Sequence, residues 1–147
     1  MRIVIQRVNR ASVKVVETSE IAGKIDKGLF VLIGVKKGDT LKQAEELANK
    51  LVKLRIMSDP NDKMNLSIKD ANASILAVSQ FTLYANTKDG NRPSFMDAEE
   101  PHKAKEIYEY FVKTLRDFGV KVEIGSFGNY MKIETELDGP VTIALEN

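Results

Sequence analysis

Two apolar runs constrain the fold of this chain more than any other feature. Leu29-Phe30-Val31-Leu32-Ile33-Gly34-Val35 is apolar at every position, as expected for a strand that is covered on both faces. Ile75-Leu76-Ala77-Val78 has the same character. We therefore predict a sheet whose central strands include Gly28–Val35 and a segment from Ile75 to Tyr84.

The second run continues into an unusual stretch, Ser79-Gln80-Phe81-Thr82-Leu83-Tyr84-Ala85. Hydroxyls and an amide near the end of a buried strand cost roughly 1–3 kcal/mol each if they find no hydrogen-bond partner. One interpretation is that Ser79 and Thr82 bond to the neighbouring backbone. The other is that these side chains belong to a functional site.

Further strand candidates flank two helix candidates. Thr40-Leu41-Lys42-Gln43 has the form of a capping box, so we predict a helix after Thr40. A second helix is predicted to start within Asp97–Pro101 and to end before Gly119. The other strand candidates are Arg2–Val8 and Ala11–Val16 (a hairpin or one bulged strand), Ile21–Ile25, Met64–Ile68, Lys121–Ile124, Tyr130–Glu136 and Val141–Leu145.

Two helices cannot cover both faces of that much sheet. We predict an α/β fold of mixed β-sheets, barrel-like or layered, with two amphipathic helices on one side. The remaining face is then expected to pack on another sheet or on a second subunit. At 147 residues the chain fits a single domain, 1–147.

The charge balance limits the possible partners. Lys and Arg number 22 against 21 for Asp and Glu, so any nucleic acid is expected to be bound locally rather than by a broad basic field. The sequence shows neither a signal-peptide pattern nor an apolar run near the ~20 residues of a membrane span. We expect a soluble cytoplasmic protein without membrane contact.

Several common catalytic devices are missing from the sequence. His102 is the only histidine, it falls in the first turn of a predicted helix, and the chain has no cysteine. A Ser-His-Asp triad and a metal site are therefore not indicated. No glycine-rich loop follows a strand and opens a helix, so phosphate binding of that kind is not indicated either, and we expect no metal and no cofactor. An enzyme built from this chain has to use backbone dipoles, hydroxyls and groups of its own substrate.

Gly139-Pro140 lies between two strand candidates. A proline there ordinarily marks a turn or a sheet edge. The alternative is a cis peptide bond, which only about 5–6% of X–Pro bonds adopt in folded proteins.

Three stretches together resemble the D-aminoacyl-tRNA deacylase (D-tyrosyl-tRNA deacylase) family. The similarity spans the chain, although the family usually has Asn where Leu137 stands. The motifs are Ser79-Gln80-Phe81-Thr82-Leu83-Tyr84-Ala85, Gly90-Asn91-Arg92-Pro93-Ser94-Phe95 and Asp138-Gly139-Pro140-Val141-Thr142, supported by Met1–Val8 and Lys63–Ser67.

The resemblance implies hydrolysis of the ester that joins a D-amino acid, or glycine, to the 3′ end of tRNA. It also implies a homodimer with active sites at the subunit interface. Gly139 and Pro140 match the family's cis motif, which reaches into the partner's pocket, and Arg7 matches the arginine that braces it. The positions that match the pocket for the aminoacyl adenosine are Ser79, Gln80, Phe81, Thr82 and Met131.

For the mechanism we favour backbone N–H groups near Phe81 and Thr82 as the oxyanion site, with the substrate's 2′-OH helping to activate water. The competing hypothesis makes Thr82 the nucleophile, which normally requires an adjacent base. A Gly139-Pro140 wall that leaves room only for hydrogen would exclude L-amino acids. Two other functions stay open: a nucleic-acid-binding or interaction module without catalysis, and an editing domain for mischarged L-aminoacyl-tRNA.

Overall fold

The first strand, β1 (Arg2–Val15), is the centre of the sheet because three other strands pair with it. The computed structural model describes residues 1–147. Of the two arrangements that the sequence allowed for Arg2–Val16, the structure has one long strand rather than a hairpin. Its pairing with the last strand shifts register between Gln6 and Arg10.

Seven further strands follow β1 along the chain, namely β2 (Ile21–Ile25), β3 (Gly28–Gly34), β4 (Met57–Ser58), β5 (Met64–Leu66), β6 (Ser74–Ser79), β7 (Lys121–Ile124) and β8 (Met131–Glu146). The main sheet is mixed and six-stranded: five of its strands follow the order β2-β1-β3-β6-β7, and β8 also pairs with β1. The pairs β3–β6 and β6–β7 are parallel and the others are antiparallel. A separate hairpin joins β4 to β5.

The sheet curls so far that its two ends almost meet. A Cβ atom built on Gly23 in β2 would lie only 2.5 Å from the carbonyl oxygen of Ile124 in β7. Glycine at this position therefore allows the backbones of the two strands to approach closely. The concave side encloses a small apolar cluster that includes Val13, Phe30 and Val78. The barrel-like prediction is confirmed.

Two helices, α1 (Leu41–Lys53) and α2 (Pro101–Asp117), cover the opposite face. Apolar residues of both helices pack in one large core with the outward side of β1, β3 and β6. The predicted capping box is present, since Thr40 accepts from the backbone of Lys42 while its own N–H donates to the Gln43 side chain at 2.9 Å. Neither helix combines the length and the apolarity of a membrane span.

Two sequence predictions are corrected by the structure. The segment Ile75–Tyr84 is not one strand, because β6 ends at Ser79 and a 3-10 turn (Phe81–Tyr84) follows it. The segments Tyr130–Glu136 and Val141–Leu145 are not separate strands joined by a turn, because both halves of β8 pair with β1. The element bounds otherwise differ by a few residues at the ends, and α2 starts at Pro101, within the predicted range Asp97–Pro101.

Candidate functional site

The 3-10 turn exists because β6 runs out of pairing partners at its carboxyl end. Ser79 is the last residue paired with β3, and the N–H of Gln80 donates to the carbonyl of Ile33 at 2.7 Å. The next residue of β3 is Gly34, where an added Cβ would lie 3.0 Å from the Cβ of Leu83. The chain therefore folds tightly over a glycine as it leaves the sheet.

Arg2 fastens the far end of this turn to the sheet. Its Nη1 donates to the carbonyl of Leu83 at 2.6 Å, and its Nε and Nη2 donate to the carboxylate of Glu146 at 3.0 and 2.9 Å. The guanidinium also lies 4.9 Å from the centre of the Tyr84 ring. Burial, together with the carboxylates of Asp39 and Glu146, raises the pKa of Tyr84, so this hydroxyl stays neutral at physiological pH. Arg2 belongs to the family-like stretch Met1–Val8, but no pattern in the sequence indicated its contact with the turn.

A pocket of about 900 Å³ opens beside the start of the turn. It brings together four of the sequence-predicted residues, namely Ser79, Gln80, Phe81 and Met131. The Phe81 ring meets the Phe95 ring edge-on, with centroids 5.1 Å apart. Other pocket residues that sequence reasoning had not singled out are Met96, Phe127 and Tyr130; for Phe95, the family-like motif Gly90–Phe95 was a signal.

Met131 is held in the pocket by the loop that precedes β8. The N–H of Gly125 donates to the carbonyl of Ala77 at 2.9 Å, and the N–H of Ser126 points to Sδ of Met131 at 3.2 Å. Beneath this loop, the hydroxyl of Tyr108 donates to the same carbonyl of Ala77, also at 2.9 Å. Desolvation by burial raises the pKa of Tyr108, so its hydroxyl stays protonated at physiological pH and keeps this hydrogen bond to the strand.

Thr82 lies beside the pocket but does not line it. Its Oγ1 accepts a hydrogen bond of 2.6 Å from the side-chain amide of Gln80. No imidazole, carboxylate or amine is hydrogen-bonded to this hydroxyl, and no three His, Asp or Glu side chains converge to form a metal site. The single histidine, His102, is exposed in the first turn of α2.

The Gly139-Pro140 loop is an exposed bulge of β8 with a cis peptide bond, as the resemblance implied. Arg7 lies against it and is only 7% exposed. The Nε of Arg7 lies 2.9 Å from Oδ2 of Asp138, and its Nη1 donates to the carbonyl of Ile56 at 2.9 Å.

Neither Arg7 nor Gly139 nor Pro140 lines the pocket of the same chain. Met131 and Gly139 are both on β8, eight residues apart along one extended strand, which corresponds to about 25 Å at the usual rise per residue. The eight predicted site residues therefore form two groups at a distance from each other. One group surrounds the pocket. The other consists of Gly139 and Pro140 together with Arg7, which lies against them, and we call it the braced loop.

Comparisons with known proteins agree along the whole chain. The model of the D-Tyr-tRNA(Tyr) deacylase family matches residues 4–146. A protein of Thermosipho melanesiensis called D-aminoacyl-tRNA deacylase is 53% identical over 148 residues, covering 100% of this chain and 97% of the relative. A protein of Lactobacillus gasseri with the same name is 51% identical, covering 99% of each chain.

Two solved structures share the fold. One is described as the c-Myc DNA Unwinding Element Binding Protein and is 38% identical, with a TM-score of 0.92 and coverage of 100% of this chain and 99% of the other. The second, a probable eukaryotic D-amino acid tRNA deacylase, is 18% identical with a TM-score of 0.83 and coverage of 98% and 97%, and it supports the fold alone. On the family match and the sequence identity to its curated relatives, this chain belongs to the D-Tyr-tRNA(Tyr) deacylase family.

Proposed function

We propose that the protein hydrolyses the ester bond between a D-amino acid, or glycine, and the 3′-terminal ribose of tRNA. Water adds to the ester carbonyl, the bond to the ribose oxygen breaks, and that oxygen takes up a proton. The observation that carries the proposal is the pocket of about 900 Å³ in which Ser79, Gln80, Phe81 and Met131 converge in a chain of this family. A pocket of this size suits a nucleoside with an attached amino acid.

The developing oxyanion needs donors, and the backbone at the start of the 3-10 turn can supply them. The first N–H groups of a helical turn have no acceptor within the turn, which leaves those of Phe81 and Thr82 for a ligand. Removal of one such donor typically costs about 10²–10³ in rate. We assign the oxyanion site to these two N–H groups.

For activation of the water we favour the 2′-OH of the terminal adenosine over Thr82. A threonine nucleophile requires a base to take its proton. The only side chain bonded to the Thr82 hydroxyl is the amide of Gln80, which donates and cannot act as that base. The contact supports a positioning role for Thr82, in which Gln80 and the turn are held together.

The second group of residues points to a dimer. Because Gly139 lies about 25 Å along β8 from Met131, a chain cannot close its own pocket with its own loop. A two-fold axis near Thr135, midway between the two, would place each loop over the pocket of the other subunit. The exposed side chains of Ile133 and Leu137 lie on either side of this point and would become buried.

A rigid loop over the pocket gives a simple basis for chiral selection. Gly139 has a positive φ of 127°, and Arg7 and Asp138 restrict the loop from below. A backbone wall at that place leaves space for hydrogen but not for the side chain of an L-amino acid. Glycine and D-amino acids are then accepted without recognition of each side chain.

The deciding experiment compares hydrolysis of D-tyrosyl-, L-tyrosyl- and glycyl-tRNA by the purified protein. We expect rapid release of D-tyrosine and glycine, and of L-tyrosine only at the uncatalysed rate. Preferential hydrolysis of the L-ester would indicate an editing domain. Binding without hydrolysis would indicate the nucleic-acid-binding module, although a formal charge of +1 argues against a general nucleic-acid binder. We also propose a cytoplasmic location, because translation there is what supplies charged tRNA.

A further inference from the structure

The segment 86–94 forms an exposed arm beside the pocket. Asn86 and Ser94 close its base through two backbone hydrogen bonds of 2.8 Å, one in each direction. The Oδ1 of Asn86 accepts from the N–H of Lys88 at 3.0 Å, which shapes the first turn of the arm. From 87 to 94 every residue is exposed, so the arm contributes nothing to the core.

The arm is joined to the pocket through the residue that follows it. Phe95 packs edge-on against Phe81, and both rings line the pocket. Met96, 75% exposed, continues the rim on the same side. The arm is therefore directly adjacent to the wall of the pocket.

Lys88 and Arg92 on this arm are exposed cations without an ion-pair partner. Neither takes part in any of the salt bridges of the chain, so both side chains are available to an anion. The arm also carries Asp89, which leaves it a net charge of +1.

Charges elsewhere on the rim decide where a nucleic-acid strand can leave the pocket. On the side of α2 the rim carries the exposed carboxylate of Glu100, which repels phosphate, whereas the carboxylate of Glu99 is paired with Lys103 at 2.7 Å. The loop Phe127–Tyr130 carries no charge, and the side of β8 faces the proposed partner subunit. Lys37 is the only cation that lines the pocket itself, and its N–H is bonded to the carbonyl of Asp97 at 2.9 Å, just beyond Met96.

We propose that the arm 86–94 binds the phosphates of the single-stranded tRNA 3′ end, next to the terminal adenosine, through Lys88 and Arg92. This inference rests on the proposed function of the pocket. It would also allow a chain without a basic field to bind a polyanion locally, because two cations on an arm beside the pocket take the place of a large basic surface. Phosphate contacts of this kind position the RNA and carry no sequence information.

The test compares two substrates that differ only in the phosphates. One is D-tyrosyl-tRNA and the other is 3′-O-(D-tyrosyl)adenosine, which has none. Lys88→Gln/Arg92→Gln is expected to raise KM for the tRNA about 10-fold. The slope of log KM against log salt concentration should also fall by about two, roughly one for each lost phosphate contact. Its kcat on the tRNA, and both constants for the nucleoside, are expected to stay within twofold of the wild type.

The matched control is Lys50→Gln/Lys53→Gln, which removes the same charge from the exposed end of α1, away from the pocket. It is expected to leave KM for both substrates unchanged. Three results would each overturn the proposal. They are an equal rise in KM for the two double variants, an equal rise in KM for the two substrates, and an unchanged KM for Lys88→Gln/Arg92→Gln.

A binding assay separates this proposal from the proposed function. If the wild type cleaves neither substrate, the deacylase function fails, and the arm is then judged by fluorescence anisotropy with uncharged tRNA. A tenfold weaker Kd for Lys88→Gln/Arg92→Gln, with the control unchanged, supports the arm. An unchanged Kd rejects it.

Discussion

The Nε atom of Arg7 lies 2.9 Å from Oδ2 of Asp138, and the Arg7 side chain is 8% exposed. The N–H is not aligned with that oxygen for a hydrogen bond, so the contact is an ion pair without one. At its other end the same guanidinium donates to the carbonyl of Ile56. One buried cation thus connects the proline loop, the strand β1 and the segment that leads into β4.

Arg7→Met should lower both stability and activity. The change leaves Asp138 and the Ile56 carbonyl without their partner, which we expect to cost about 2 kcal/mol in the free energy of unfolding. Because the loop loses its brace, kcat/KM is expected to fall by about 10²-fold or more. Urea unfolding and steady-state deacylation measure the two effects.

Arg10→Met is the matched control, since Arg10 also pairs with a carboxylate of β8, Glu136, at 2.9 Å. Its side chain is 72% exposed, so the loss should stay below about 1 kcal/mol, with activity unchanged. Equal effects of the two variants would contradict the bracing role of Arg7.

Phe81→Pro tests the oxyanion donor directly. Proline removes the N–H of the first residue of the 3-10 turn, a position that tolerates it, and Gln80 before it lies outside the α region that proline disfavours in its predecessor (φ −145°, ψ 89°). Phe81→Ala removes the ring but keeps the N–H. We expect kcat of the proline variant to lie about 10²–10³ below that of the alanine variant. Similar kcat values for the two would remove the N–H of Phe81 from the mechanism.

Thr82→Ala distinguishes attack by water, assisted by the 2′-OH of the substrate, from attack by Thr82 as a nucleophile. If Thr82 only positions Gln80, loss of the 2.6 Å contact should keep kcat within about tenfold of the wild type, as for one hydrogen bond. If Thr82 is the nucleophile, hydrolysis should stop. Thr87→Ala, at an exposed position in the arm, controls for removal of a threonine hydroxyl, and thermal melts check that each variant is folded.

The complementary change is made on the substrate. A tRNA that ends in 2′-deoxyadenosine and carries D-tyrosine on the 3′-OH lacks the proposed assisting hydroxyl. It should bind with unchanged affinity and hydrolyse about 10²-fold more slowly or worse. Fast hydrolysis of this substrate, combined with an inactive Thr82→Ala, would reverse the assignment in favour of a covalent intermediate.

Mixing two inactive variants tests the shared site. Arg7→Met damages the loop and Phe81→Pro damages the pocket, so a heterodimer of the two has one intact site, formed by the good pocket of one chain and the good loop of the other. Random reassociation after mild unfolding makes about half of the dimers mixed, so about a quarter of wild-type activity should return. No recovery, or a monomer mass in light scattering, would rule out the proposed dimer.

Glu99 provides a prediction for stability in acid. The ammonium of Lys103, followed by the backbone N–H of Glu100, lowers the pKa of Glu99 from its usual value. A carboxylate whose pKa is lowered in the folded state stabilises the fold above its unfolded pKa, and this stabilisation is lost as the pH falls through the folded pKa. Glu99→Gln should therefore melt below the wild type at pH 7 and converge with it in acid. Glu100→Gln, the neighbouring control, should follow the wild type at both pH values.

Much of the fold could be predicted because it depends on local patterns. The run Leu29–Val35 is apolar at every position, and β3 is indeed central in the sheet. Thr40 and Gln43 determine the start of α1 by contacts within one turn. The family-like motifs also indicated Ser79, Gln80, Phe81 and Met131, which the structure brings together in one pocket.

The errors arose where a contact between distant segments decides the local structure. The end of β6 depends on Gly34, which is far away in sequence and lets the turn fold over β3. The continuity of β8 depends on its pairing with β1 on both sides of Arg7. The hydrogen bond from Arg2 to the carbonyl of Leu83 could not be predicted from the sequence for the same reason, because no spacing rule connects residues that distant in sequence.

The pairing of β1 with β8 has a consequence for the folding kinetics of this chain. Arg2 pairs with Glu146 and Val15 pairs with Met131, so the first and last strands close the longest loop that the chain contains. Pairings this distant in sequence are the slowest to form during folding. Met131, Arg7 and Gly139 all belong to these two strands, so the pocket wall and the braced loop should form together late in the folding of each chain, and activity should return only after that step, when the subunits associate.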